Sequence, residues 1–217
     1  MILNIYKPKG ITSFGVVKKI RKIVGERKVG HGGTLDPFAE GVLIIGTGSN
    51  TKDLKKITDT DKTYTASIKL GKATNTLDPE GDVLEKKKIP ILSESKINRA
   101  LDSFLGSSMQ TPPMFSAKKI GGVKLYELAR KNIIVNREPT QIEISDISLI
   151  NFNKTNITFT VSCSKGTYIR VLGKEIAEKL GTVGYLDSLT RTRVGEYFVD
   201  DSVSLDQFKL SWKSFAH

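Results

Sequence analysis

The chain has 217 residues, of which 38% are hydrophobic and 26% are charged, and its net charge is +11. These values predict one folded domain, and the positive charge favours a polyanionic partner such as nucleic acid. No apolar run approaches the roughly 18 residues that span a bilayer, and the N-terminal sequence MILNIYKPKG lacks the layout of a secretory signal. We therefore expect a cytoplasmic protein that does not associate with membranes.

Few side chains in this sequence are good metal ligands. Cys163 is the only cysteine, and His31 and His217 are the only histidines. An internal disulfide and a thiolate metal cluster are thus excluded, and a zinc site would need carboxylates for most of its ligands. We expect chemistry that needs neither a metal nor a cofactor.

The first 30 residues are strongly basic, with eight lysines and arginines against one acid. Residues 2–6 predict a short strand, and Thr12 or Ser13 is placed to cap a helix that runs to about Val24. The helical period predicts a buried stripe and a basic outer face, which favours nucleic-acid binding over a merely solvated surface. The predicted stripe is Phe14, Val17, Ile20 and Val24, and the outer face is Lys18, Lys19, Arg21 and Lys22.

Residues 30–43, GHGGTLDPFAEGVL, place a single aspartate in a glycine-rich turn. Asp36 is followed by Pro37, which fixes the backbone φ angle and removes a hydrogen-bond donor. An isolated Asp-Pro pair most often starts a turn or caps a helix. The alternative is a functional carboxylate, and the rest of the chain decides between the two interpretations.

The middle of the chain predicts strands and one capped helix. Residues 41–46 form an apolar run, and residues 62–70 alternate between apolar and polar side chains, which is typical of half-buried strands. A turn-rich loop follows with a second Asp-Pro pair at Asp78, whose acid we expect to serve hydrogen bonding and turn geometry. Ser93 predicts the cap of a helix that ends near Leu105, with Gly106 as its C-terminal stop.

Residues 111–137 predict an arm that projects from the domain. Prolines and glycines bracket Met114 and Phe115, which we expect to be exposed. Basic residues interleaved with aromatic ones suit a surface that follows a nucleic-acid backbone, although a hairpin packed on its own protein is the alternative. The basic residues are Lys118, Lys119, Lys124, Arg130 and Lys131.

The last third predicts two long strands, a helix, further strands and a short closing helix. Residues 155–163 alternate cleanly, so Cys163 is expected in the core. Tyr168 and Arg170 fall at the start of the helix that follows Gly166. A cation is disfavoured at that end of the helix dipole, so a partner carboxylate for Arg170 is favoured over a plain surface position.

Five segments in this order and spacing resemble the TruB-type tRNA pseudouridine synthases: KPKGITS, GHGGTLDPFAEGVL, DKTYTA, PPMFSAKKIGGVKLYELAR and CSKGTYIR. The resemblance spans essentially the whole chain. It implies an α+β pseudouridine synthase fold, with a mixed, largely antiparallel sheet, flanking helices and an inserted thumb loop at residues 111–137. It further implies a single catalytic domain over residues 1–217, without the C-terminal PUA domain that many members carry, acting on tRNA as a monomer with no protein partner.

The resemblance also implies a role for particular residues. Asp36 would be the catalytic aspartate, Tyr64 would stack on the target base, and Arg170 would form an ion pair with Asp36. Lys7, Tyr168 and Leu189 would line the same pocket, and His31 would lie where the flipped nucleotide leaves the T-loop. The basic helix and thumb would bind RNA through Lys18, Lys19, Lys22, Lys118, Lys119, Lys124 and Arg130.

The implied reaction converts the T-loop uridine at tRNA position 55 to pseudouridine. The departing base is also the incoming nucleophile, so one carboxylate in a pocket without water suffices, whereas glycosidases usually need two. The carboxylate could attack C1′, attack C6, or help remove a ribose proton, and the resemblance favours the last route. A non-catalytic RNA-binding module and a small nucleoside hydrolase are the alternative functions.

Overall fold

The computed structural model describes residues 1–215, with side chains as far as Trp212. The strands at Lys62–Leu70 and Asn156–Cys163 coincide with segments in which apolar residues alternate, and several strands end at a glycine-containing turn. In chain order the strands are β1 Ile2–Lys7, β2 Val29–Gly32, β3 Glu40–Thr47, β4 Lys62–Leu70, β5 Lys72–Thr74, β6 Val83–Lys86, β7 Gly106–Gln110, β8 Lys119–Ile120, β9 Val123–Lys124, β10 Thr140–Phe152, β11 Asn156–Cys163, β12 Gly184–Val194 and β13 Tyr197–Phe198.

The helices are short and amphipathic. In chain order they are α1 Ser13–Val24, α2 Leu54–Thr58, α3 Glu94–Asp102, α4 Leu125–Ala129, α5 Ile169–Lys179 and α6 Leu205–Phe215, with 3₁₀ turns at Gly48–Lys52 and Val199–Asp201. Thr12 is the N-cap of α1 and accepts a hydrogen bond from the Gly15 amide at 2.9 Å. Ser93 caps α3 in the same way through the Lys96 amide, so both predicted N-caps are confirmed.

The chain divides into two units. The first unit comprises Met1–Tyr64 and Leu189–His217, and the second comprises Thr65–Ser188. In the first unit β3 is the central strand: β1 and β2 pair with it antiparallel, and β12 pairs with it in parallel at Thr190 and Arg191. This arrangement brings the segment before β3, which contains Asp36, and the end of β12 to the same edge.

The core of the first unit lies between α1 and the strands. Val16, Val17 and Ile20 of α1 are buried against residues of β1 and β3, and Phe208 of α6 covers the same cluster. Phe14 was predicted in this stripe, and that prediction is wrong because its side chain is 51% exposed. Phe14 lies beside Lys18 and Arg21, whose cationic groups are 5.3 and 5.6 Å from its ring centroid.

Most of the sheet of the second unit is formed by four strands. They lie in the order β4, β11, β10, β7, and β10, the longest strand, pairs antiparallel with both β11 and β7. The apolar residues of β4 and β11 are buried at every second position, as the alternation predicted, and Cys163 is buried among them. α3 ends at Asp102, and Gly106 begins β7, so the predicted helix end at Leu105 and the stop at Gly106 are wrong.

The predicted α+β class with a mixed, largely antiparallel sheet is confirmed, since β12 with β3 is a parallel pair among antiparallel ones. In the residues that the structure describes, no helix is long and apolar enough to cross a membrane.

Candidate active site

Hydrogen bonds hold five consecutive carbonyls, from Gly33 to Pro37, in the loop around Asp36. The Gly33 and Thr34 carbonyls accept from the Arg191 guanidinium, both at 3.3 Å, and the Leu35 carbonyl accepts from the Ser13 hydroxyl at 2.9 Å. The Asp36 carbonyl accepts from the Ala39 amide at 3.2 Å, and the Pro37 carbonyl from the Gly10 amide at 2.8 Å. Five consecutive peptide groups are thus fixed, and the half-buried Asp36 side chain is carried on a rigid backbone.

His31 lies in β2, two residues before the fixed part of this loop. Burial lowers the pKa of His31, and the nearby positive charge of Arg191 lowers it further, while a hydrogen bond with the Gly33 backbone acts in the opposite direction. The Nδ1 atom of His31 is buried and has no hydrogen-bond partner among the described residues. A neutral imidazole with an unused ring nitrogen can still bind a donor or an acceptor.

Three further predicted site residues of the first unit are buried. Tyr64 in β4 is 8% exposed, and Leu189 in β12 is 4% exposed. Lys7 is fully buried, and its ammonium donates to the Pro8 and Ile11 carbonyls at 2.9 and 2.8 Å and to the Pro37 carbonyl at 3.4 Å. Lys7 therefore fixes the chain on both sides of the Gly10 turn and helps to hold the Asp36 loop.

Arg170 lies at the start of α5 in the second unit, with its side chain 5% exposed. One of its terminal nitrogens is 3.4 Å from a carboxylate oxygen of Asp78 and donates to the Thr76 carbonyl at 2.7 Å. The other donates to the Phe115 carbonyl at 2.7 Å. A buried guanidinium with these partners is held in one orientation, and the expected partner carboxylate at this helix start is present.

Asp78 supports Arg170 from a tight turn. One of its carboxylate oxygens accepts from the Glu80 amide at 3.0 Å and from the Thr76 hydroxyl, and its own carbonyl accepts from the Thr74 hydroxyl at 2.8 Å. The prediction that this acid serves turn geometry is confirmed, and its ion pair with Arg170 is a contact that the sequence did not indicate.

Tyr168, the N-cap residue of α5, is held by its backbone. The side chain of Gln110 in β7 accepts from the Tyr168 amide at 2.7 Å and donates to the Tyr168 carbonyl at 3.2 Å. Gln110 is 2% exposed, so this pair of hydrogen bonds is buried. Its amide therefore sets the backbone position from which the Tyr168 side chain extends.

The predicted thumb, residues 111–137, lies in the second unit, and a hydrogen bond joins its two ends. The Arg137 guanidinium donates to the Pro112 carbonyl at 3.3 Å, and Leu125 of α4 is fully buried. Met114 and Phe115 are half-buried, so the prediction that they are exposed is wrong. Lys124 and Arg130 both lie over the ring of Tyr126, each at 5.4 Å from its centroid.

The other predicted RNA-binding residues lie mostly at the surface. The side chains are exposed at Lys18, Lys19, Lys22, Lys119 and Arg130 and are partly exposed at Lys118 and Lys124. Such positions are available to phosphates without loss of a buried contact.

Sequence reasoning named the catalytic candidates but not most of the residues that hold them in place. Gln110 and Arg191 lie in none of the five family segments, and Ser13, the last residue of KPKGITS, was noticed only as an alternative helix cap. The first unit brings Asp36, His31, Lys7, Tyr64 and Leu189 into one compact part of the chain, and the second unit carries Tyr168 and Arg170. No group of three His, Cys, Asp or Glu side chains that could hold a metal ion occurs within residues 1–215.

Comparison with known proteins gives one consistent result. Residues 21–169 match the model of the TruB family pseudouridylate synthase, N-terminal domain. The chain is 42% identical to tRNA pseudouridine synthase B of Hydrogenovibrio crunogenus over 210 residues, which cover 97% of this chain and 69% of that protein. It is 45% identical to tRNA pseudouridine synthase B of Clostridium tetani over 205 residues, which cover 94% of this chain and 71% of that protein.

A solved structure shares the fold. A chain in the crystal structure of a Cbf5-Nop10-Gar1 complex is 27% identical, with a TM-score of 0.77. The match covers all of the present chain and 56% of the other, so the present chain spans a little over half of that protein's length. The predicted pseudouridine synthase fold is confirmed by this likeness together with the family match.

Proposed function

Because the chain belongs to the TruB family of pseudouridylate synthases, we propose that it isomerises the uridine at position 55 in the T-loop of tRNA to pseudouridine. An enzyme of this class is an isomerase. It breaks the bond from C1′ to N1, keeps the uracil in the pocket and forms a bond from C1′ to C5. The names of the relatives support tRNA as the substrate class.

The observation that carries the proposal is the fixed loop around Asp36. Five consecutive carbonyls of this loop are hydrogen-bonded, so the backbone that carries the Asp36 carboxylate is fixed before the substrate binds. Little conformational freedom is then lost when the carboxylate meets a reacting carbon. Asp36 acts as the catalytic residue by attack at C1′, by attack at C6, or by removal of a ribose proton. All three routes use this one carboxylate and no metal.

Arg170 is the proposed ion-pair partner of Asp36. Its guanidinium is already desolvated and oriented by Asp78 and two backbone carbonyls, so it does not have to be ordered when the substrate arrives. A nearby guanidinium favours the charged form of a carboxylate, which a dry pocket would otherwise disfavour. The proposed pairing is tested by substitution of Asp36 or of Arg170.

The base is extruded from the T-loop and stacks on Tyr64. Extrusion costs on the order of a few kcal/mol, and stacking on an aromatic ring returns about 1–3 kcal/mol. The buried positions of Tyr64 and Leu189 suit an apolar pocket wall. Lys7 and Tyr168 are further proposed substrate-binding residues, and the unused Nδ1 atom of His31 contacts the nucleotide that leaves the stack.

The basic surface of α1 and the thumb bind the T-arm backbone. Lys18, Lys19 and Lys22 on α1 are exposed, and the thumb adds its own lysines and Arg130. Binding by such residues weakens steeply as salt rises, because counterions are released when phosphates are neutralised. We propose that the chain acts as one catalytic domain, as a monomer in the cytoplasm and without a protein partner.

Mapping of pseudouridine by mass spectrometry in an unmodified tRNA transcript tests the proposal. We expect one modified site, at position 55, and no product with Asp36→Asn. Asp53→Asn is the matched control, because Asp53 is also half-buried in the first unit but contacts Asn50 rather than the loop. Free uracil as the product would identify a nucleoside hydrolase instead, and tRNA binding without any product in the wild type would identify a non-catalytic RNA-binding module.

A further inference from the structure

Arg191 in β12 is a buried cation that no motif indicates. Its side chain is among the largest that are fully buried, with 1% of the residue exposed. Nε donates to the Val42 carbonyl at 2.8 Å, and the two terminal nitrogens donate to the Thr34 and Gly33 carbonyls at 3.3 Å. All three acceptors are backbone carbonyls, and among residues 1–212, whose side chains the structure describes, no carboxylate forms an ion pair with this guanidinium.

Burial of such a charge is expensive unless its donors are satisfied, and a neutral apolar residue would fill the site at less cost. Charge-assisted hydrogen bonds to carbonyls are stronger and more directional than neutral ones. Three such hydrogen bonds offset the cost of burying the Arg191 guanidinium, and all three fix the backbone of a neighbouring segment.

That segment is the loop that carries Asp36. Gly33 and Thr34 lie before Asp36, and Val42 lies after it in β3, so one guanidinium joins the two ends of the loop. The backbone of Arg191 also pairs with Gly41 in the parallel register of β12 and β3. Gly41 has φ +105°, and a Cβ atom there would lie 2.3 Å from the Arg191 carbonyl oxygen, so this close approach requires glycine.

We propose that Arg191 is a positioning residue for the isomerisation, which fixes both ends of the Asp36 loop and so holds the carboxylate in its reactive orientation. This role rests on the proposed function, because the position of Asp36 matters only if Asp36 reacts. Lysine cannot replace arginine here, since a single ammonium cannot reach three carbonyls in the planar arrangement of the guanidinium. The charge of Arg191 also acts on His31, which gives a second signal that is independent of turnover.

The test compares Arg191→Lys and Arg191→Gln with the same changes at Arg193. Arg193 lies two residues further along β12, is half-buried, and donates to the Thr63 hydroxyl at 3.2 Å rather than to the Asp36 loop. Each variant of the full chain is measured for urea unfolding, for affinity toward a tRNA transcript, and for the single-turnover rate with saturating enzyme. The single-turnover rates are corrected for the folded fraction of each variant. If Arg191→Lys does not fold, Arg191→Gln is used to test the role of Arg191.

We expect both folded Arg191 variants to bind tRNA with an affinity within about twofold of wild type. We expect their single-turnover rates to fall on the order of 100-fold, because misplacement of a reacting group by about 1 Å has an effect of this size. The matched Arg193 variants should keep their rate within about twofold. A folded Arg191→Lys or Arg191→Gln protein that reacts at the wild-type rate overturns the role, and so does an equal loss in the Arg193 variants.

The His31 titration supplies the second signal. We expect the pKa of His31, followed by NMR of its imidazole, to rise in Arg191→Gln and to stay unchanged in Arg193→Gln, because only the first change removes a charge close to His31. An unchanged titration in Arg191→Gln contradicts the placement of the guanidinium beside the loop. Absence of pseudouridine with the wild-type protein would instead contradict the proposed function, so the two failures are distinguishable.

Discussion

Replacement of Asp78 tests how Arg170 is held in the second unit. The two side chains are 6% and 5% exposed, and the carboxylate oxygen lies 3.4 Å from the guanidinium. Asp78→Ala leaves the guanidinium buried without its carboxylate and removes the acceptor of the Glu80 amide. Loss of one partner of a buried ion pair costs about 3–5 kcal/mol of unfolding free energy.

Asp78→Asn separates charge from hydrogen bonding. The carboxamide oxygen can still accept from the Glu80 amide and the Thr76 hydroxyl, so the turn keeps its geometry while the ion pair is lost. We expect this variant to lose about 1–3 kcal/mol of unfolding free energy, less than the alanine variant. We also expect it to lose isomerase activity, because the Arg170 guanidinium is then free to leave its fixed orientation.

The assay is urea denaturation followed by circular dichroism, together with the single-turnover rate on a tRNA transcript. The matched control is Glu178→Ala, which breaks the ion pair of Lys174 and Glu178 at 3.2 Å in α5, where both side chains are about half exposed. An exposed pair of this kind contributes about 0.3–0.5 kcal/mol. If Asp78→Ala cost no more than Glu178→Ala, the ion pair would not be holding Arg170 in place.

Three further predictions concern the first unit. Gly41→Ala should lower the unfolding free energy by about 3 kcal/mol or more in urea denaturation, because φ is +105° and the new Cβ would lie 2.3 Å from the Arg191 carbonyl oxygen; a loss below about 1 kcal/mol would contradict it. Thr12→Ala should cost about 1 kcal/mol through loss of the hydrogen bond from the Gly15 amide, and Thr12→Ser should restore most of it. The lowered pKa of His31 means that the unfolded state binds a proton first, so the unfolding free energy should fall as pH drops below about 6.5. His31→Gln should remove that part of the pH dependence in urea titrations between pH 7.5 and 5.5, and an unchanged slope would refute it.

Local sequence patterns predicted helices and strands correctly where a single local interaction determines the structure. The alternation of apolar and polar residues predicted β4, β11 and their buried faces. The N-caps at Thr12 and Ser93 were predicted correctly because a capping side chain bonds an amide only three residues further along the chain. The same local reasoning failed for Phe14. Helical period put it in the core stripe, but the buried positions of α1 are Ser13, Val16, Val17 and Ile20, so the stripe is centred on another face and Phe14 lies beside it in solvent.

A charge count does not distinguish buried from exposed residues. Lys7 is one of the eight basic residues among the first 30, yet it is fully buried and donates to backbone carbonyls on both sides of a turn. A sequence lists charges without showing which ones are in water. The +11 total therefore remains a sound argument for a polyanionic partner but a poor guide to the individual residues that would bind one.

The sequence by itself determined the family, the α+β class and the candidate catalytic residues, because these depend on motifs and on periods of two and 3.6 residues. Only the tertiary structure decided what holds those residues. Asp78 reaches Arg170 across 92 positions of the chain, and Arg191 reaches Gly33 and Thr34 across more than 150. Contacts over such separations are set by strand order and register, which no local pattern specifies. The contacts of Arg191 fix the loop that carries Asp36.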